Sequence, residues 1–149
     1  MTTLSKWYIA IAIITVTIAT HALQFTDIHG MWQLLYRGNY GYEFRFYKNY
    51  QAVCIIYMQT NAVVFKGVYT FDNPQTIRIN INQMKNADTC CNVNTTTSFA
   101  HVKSSYFLFN AVLITKNNKK MLELKPLSIV IDGINSEGYF EPIILLQRM

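Results

Sequence analysis

The chain has 149 residues, 51% of them hydrophobic and 14% charged, with 13 Lys and Arg against 8 Asp and Glu for a formal net charge of +5. That length suits one domain, and a chain of this size buries roughly two-thirds of its unfolded surface. The basic residues Arg45, Lys66, Arg78 and Lys103 are scattered and only Lys116, Lys119 and Lys120 cluster, which excludes the one-faced stripe of a nucleic-acid binder and leaves at most a weak attraction to acidic surfaces.

Residues 1–22 have the layout of a secretory signal peptide. Lys6 supplies the positive start, residues 7–19 are apolar without a charge, and Thr20, His21 and Ala22 end in the small residues of a cleavage site. The run falls short of the roughly 20 apolar residues of a comfortable membrane span. The expectation is a secreted domain over residues 23–149 with no stable membrane span once the signal is removed. The alternative is membrane or envelope anchoring through residues 7–22.

The folded part opens with Gly30-Met31-Trp32, preceded by a turn at His29. Residues 42–46 alternate aromatics with charges, as a strand with one buried face does. Residues 51–58 are a short continuous apolar run. In the next run Val63, Phe65, Gly67, Tyr69 and Phe71 share a face, and Gly67 predicts a bulge or a sharp bend. Asp72, Asn73 and Pro74 predict a turn, and residues 76–82 place Ile77, Ile79 and Ile81 inward. Residues 83–96 form the longest polar break, after which strands resume at Thr97. Residues 106–115 and 120–125 flank Lys116-Asn117-Asn118-Lys119, a hairpin expected to be longer than the tight Asn-Gly type. Pro126 should end its strand or place it at an edge, with one more short strand at residues 128–131. Asp132-Gly133 and Glu137-Gly138 punctuate the tail, and an apolar run from Tyr139 closes the chain. No segment after residue 22 has a helical period. About eight strands joined by short turns predict an all-β fold, a small antiparallel up-and-down β-barrel, with a β-sandwich as the alternative.

Of the three cysteines, Cys54 lies mid-strand while Cys90 and Cys91 sit together in the polar break. Adjacent cysteines rarely satisfy disulfide geometry with each other, so the expected bridge joins Cys54 to one of the pair. One thiol is left over, either free or linking a disulfide-bonded oligomer. Asn94-Thr95-Thr96 is an acceptor site for N-glycosylation in a eukaryotic host.

Gly30-x-Trp32, the alternating aromatic strand, the Gly-Val-Tyr strand, the TIRIN segment and Arg148 together resemble the lipocalin-like, or calycin, barrels. The resemblance implies that Trp32 plugs the closed end and that Arg148 packs over its ring. It also implies a secreted binder of a small hydrophobic ligand, with Phe44, Phe46, Phe65, Tyr69, Ile79, Phe107 and Phe109 as candidate pocket residues. The chain departs from the pattern in three places. Thr115-Lys116-Asn117-Asn118 stands where lipocalins carry Thr-Asp-Tyr, no C-terminal helix pattern follows, and the short link from Trp32 to Tyr42 has no room for the two helices of the intracellular fatty-acid carriers. A minimal barrel of this kind can have its interior filled by side chains.

No Gly-x-Ser-x-Gly, HExxH, phosphate-binding glycine loop or CxxC is present. His29 and His101 belong to no nucleophile or metal motif, and the carboxylates are dispersed. No enzyme activity, cofactor or metal is expected. The second functional expectation is a secreted or envelope-associated β-domain without a pocket that binds another protein, in a host-interaction or structural role. It draws on the spare thiol, the Pro126 strand and the mild positive charge.

Overall fold

The computed structural model describes residues 23–88 and 93–149. Among these residues a single α-helical turn, α1 (Phe25–Ile28), precedes nine strands. These are β1 (Gly30–Tyr36), β2 (Tyr40–Phe46), β3 (Gln51–Met58), β4 (Asn61–Asn73), β5 (Thr76–Ala87), β6 (Ala100–Lys116), β7 (Lys119–Ile131), β8 (Ile134–Asn135) and β9 (Ile144–Arg148). A 3-10 turn (Glu137–Tyr139) lies between the last two.

Strands β1 to β7 pair with their sequence neighbours, all antiparallel. Strand β9 then pairs with both β7 and β1 and closes the ring. The result is an eight-stranded up-and-down barrel, with β8 an extra strand on the end of β7. Closure removes the exposed edges that an open sheet of this size would present.

Alternation decides which side chains fill the barrel. Tyr42, Phe44 and Phe46 of β2 face inward, as do Cys54 and Ile56 of β3, Phe65 and Tyr69 of β4, and Ile77, Ile79 and Ile81 of β5. The next residues along β3 and β4, including Val53, Ile55 and Val64, form a second cluster on the outer face, where Val93 and Phe99 pack against it. Lys66 and Lys85 hold their ammonium groups 4.2 and 5.2 Å from the centroid of the Phe99 ring.

Gly-x-Trp has a physical explanation at the closed end. Trp32 is fully buried, and its indole N–H donates to the Ile28 carbonyl at 2.7 Å, which α1 delivers. Arg148 is the register partner of Trp32. Its guanidinium carbon lies 5.6 Å from the Trp32 ring centroid, and Nη2 donates to the His29 carbonyl at 2.7 Å. Gly30 has φ +117°, a conformation that a side chain would strain. The ladder slips between Lys66 and Gly67, where a Cβ on Gly67 would lie 2.0 Å from the Asn80 carbonyl oxygen. This is the predicted bulge.

The structure differs from the sequence expectations in four places. Strand β5 runs on to Ala87, because its polar residues Gln83 and Lys85 still pair with β4; β6 begins at Ala100 rather than Thr97. The β6–β7 hairpin is tight. Lys116 pairs with Lys119, and Asn117 and Asn118 both take left-handed backbone, φ 51° and 59°, a conformation asparagine tolerates. Pro126 neither ends β7 nor stands at an edge: it sits inside the strand opposite Phe109, where the β6–β7 ladder slips and a missing N–H is tolerated. Residues 128–131 are not a separate short strand but the end of β7, which runs from Lys119 to Ile131.

Candidate ligand site at the barrel mouth

The seven residues expected to line a pocket all reach the barrel interior, where they are 0–2% exposed. They pack on one another. Phe44 meets Phe109 edge-on at 5.7 Å, Phe46 meets Tyr69 at 5.1 Å, and Phe65 meets Phe107 at 4.9 Å between ring centroids. Such edge-to-face contacts suit the ring quadrupole.

Residues 132–143, between β7 and β9, lie across the end opposite Trp32. Phe140 drops from this segment into the core, 5.2 Å from the centroids of Phe107 and Phe109, 5.7 Å from Tyr42 and 6.2 Å from Phe44. The interior is therefore an aromatic cluster stopped at one end by Trp32 and at the other by Phe140.

A cavity of about 590 Å³ lies above that stopper, within the roughly 300–1,000 Å³ of small-molecule sites. The rims of β1, β2 and β3 supply Tyr36, Tyr40, Tyr42, Ile56, Tyr57 and Met58 to its wall. The crossing segment supplies the other side, with Tyr139 and Glu141 its largest groups. Gly41 makes the rim. It has φ +141°, and a Cβ there would lie 1.9 Å from the Leu34 carbonyl oxygen, so β1 and β2 approach this closely only around a glycine.

Glu141 ties the two sides together. Its carboxylate accepts a hydrogen bond from the Tyr36 hydroxyl at 2.8 Å, and its backbone N–H donates to the Tyr42 hydroxyl at 3.1 Å. The bond to Glu141 holds the Tyr36 phenol above its usual range. Burial, acting first, pushes the Tyr42 phenol up.

Glu43, on the outer face of β2, is 3% exposed but fully partnered. It pairs with Arg45 and accepts from Gln33 Nε2 at 3.1 Å and from the Tyr57 hydroxyl at 2.8 Å. That arrangement is a structural solution for a buried carboxylate rather than a site. Among the described residues no group of three or more His, Cys, Asp and Glu could hold a metal ion, and no helix is long and apolar enough to cross a membrane.

Cys54 corrects the expected disulfide. Its thiol is free and buried, and it faces the interior between the strand partners Phe44 and Phe65. Cys90 and Cys91 lie outside the described residues, as does the expected signal at residues 1–22. Burial pushes the Cys54 thiol well above its ordinary range, so little reactive thiolate forms. In the native protein, peptide mapping should find Cys54 unlabelled by iodoacetamide and fully labelled after denaturation. Native labelling at Cys54 would show that the core opens there.

Asn94 is exposed, and its Oδ1 accepts from the Thr96 backbone N–H at 2.8 Å and hydroxyl at 2.7 Å. His101 is an exposed residue of β6. His29 precedes β1, and its Nε2 is buried without a hydrogen-bond partner.

Burial, with a smaller contribution from Tyr50, raises the Tyr69 phenol from 10.0 to about 12. Below pH 10 both folded and unfolded chains keep that proton. Above it the unfolded chain ionises first, so stability is lost as pH rises from 10 towards about 12. Urea midpoints across that window should fall, and alkaline absorbance titration should show late-ionising phenols, Tyr69 among them.

Sequence reasoning missed Tyr36, Tyr40, Tyr139 and Glu141. The available signal was Glu141-Pro142 after Tyr139-Phe140, a charge and a proline that break any strand pattern and mark a crossing segment instead. Comparisons with protein-family models, with curated proteins and with solved structures find no match for the chain.

Proposed function

We propose that this barrel is a non-catalytic, secreted binder of a small, largely apolar molecule held at its mouth. The cavity of about 590 Å³ between the tyrosine rim and the crossing segment carries the proposal. Tyrosines present apolar faces with a polar tip, which suits a site that must grip an apolar body and still orient it. The aromatic core beneath acts as a rigid floor. Export in a eukaryotic host would expose Asn94 to glycosylation.

Native mass spectrometry of the protein recovered from the medium of secreting cells tests this. A monomer carrying a small-molecule mass that is lost on denaturation supports it. A bare chain whose melting temperature no apolar ligand raises counts against it. A second proposal, docking to another protein, is favoured by Leu35, Ile134 and Ile143, which are 49%, 69% and 53% exposed. A bare oligomer in the same spectrum would favour it.

A further inference from the structure

We infer that the ligand of the mouth cavity is an organic cation, an amine on an apolar or aromatic body, with Glu141 as its counter-ion. This rests on the mouth being a ligand site and adds the charge of what enters it. Three observations carry it.

The first is the lining. Of the residues around the cavity, Glu141 is the one that carries a charge, and Tyr36, Tyr40, Tyr42 and Tyr139 stand around it. Aromatic faces attract ammonium groups through the ring quadrupole, and a carboxylate beside them completes the recognition of a desolvated cation. The second is the state of that carboxylate. Glu141 takes part in none of the ion pairs found among the described residues, which are Arg45–Glu43, Arg78–Asp72 and Lys125–Glu123. Its carboxylate accepts from the neutral Tyr36 phenol, and that bond positions one oxygen without cancelling the charge. The third is the charge around it. The protein is basic, at +5, yet residues 132–143 carry Asp132, Glu137 and Glu141 and no Lys or Arg. Three of the eight carboxylates thus lie on the segment that forms one wall of the cavity, against the single Arg37 in the turn between Tyr36 and Tyr40, a balance that favours entry of cations over anions.

A series of similarly sized indoles, read by isothermal titration calorimetry, tests the role of charge. Tryptamine is the cation, 3-ethylindole the neutral analogue and indole-3-acetate the anion. Tryptamine should bind at least about tenfold more tightly than 3-ethylindole, with indole-3-acetate weakest. Glu141→Gln should erase most of that gap and leave 3-ethylindole unchanged. The substitution keeps the backbone N–H that Tyr42 accepts and the volume of the side chain, and a circular dichroism melt confirms that the variant folds. If 3-ethylindole or indole-3-acetate binds as well as tryptamine, the cation inference is overturned and the mouth site stands. If none of the three binds at millimolar concentration, both are overturned.

Discussion

Phe140→Ala should cost the barrel about 3–5 kcal/mol, the usual loss for a buried aromatic truncated to alanine. Phe140 is 7% exposed and touches rings from β2 and β6 at once. No strand of the barrel supplies it; it descends from the crossing segment, so its loss leaves a hole that neighbouring strands cannot collapse to fill. Urea denaturation measures the cost. A second readout follows from the same geometry. The hole is walled by Phe44, Phe107 and Phe109, and dry apolar cavities of this kind accept benzene or xenon. Benzene should therefore raise the melting temperature of the Phe140→Ala protein and leave the parent unchanged. Phe140→Leu should recover most of the stability and lose the benzene effect. A loss under about 1 kcal/mol for the alanine variant would mean that Phe140 is not the stopper.

Trp32→Ala should be comparably severe, about 3–5 kcal/mol, since it removes a fully buried ring and strands the groups around it. The Ile28 carbonyl loses its donor at 2.7 Å and Arg148 loses the face it covers. Trp32→Phe separates these contributions. It keeps much of the ring and drops the N–H, so its cost should be about 1–3 kcal/mol, the penalty of a buried acceptor left unpaired. Arg148→Met should cost only about 0.5–1 kcal/mol, as expected for a partly exposed cation–π contact. In the absence of Trp32 that cost should shrink to what the hydrogen bond to the His29 carbonyl contributes, because the cation–π contact is already gone.

The barrel was legible in the sequence because one-face burial writes itself as alternation. Ile77, Ile79 and Ile81 all point inward as their spacing predicts, and Gly67 marks the bulge. The closing pair was legible too, since Trp32 and Arg148 stand in register across the β1–β9 seam. The site was not. Filled and open barrels share the same alternation, so Phe44, Phe65 and Phe107 could not announce that they pack on one another. That depends on Phe140, which is buried against rings of β2 and β6 that lie far from it in the sequence. The crossing segment has no period, and what it touches is set by distant strands. Pro126 misled for a related reason: a proline is read locally as an edge, but a bulge inside the barrel wall accommodates it.

The central claim is that a small molecule sits at the mouth, above a filled core, and not inside the barrel. The most direct test is an NMR titration of the intact protein with tyrosine and phenylalanine rings isotopically labelled and tryptamine as the probe. Tyr36, Tyr40 and Tyr139 ring signals should shift on saturation while those of Phe44, Phe65 and Phe107 stay in place. Shifts confined to the phenylalanine rings would put the ligand in the core and contradict the claim, and so would a spectrum in which no ring responds.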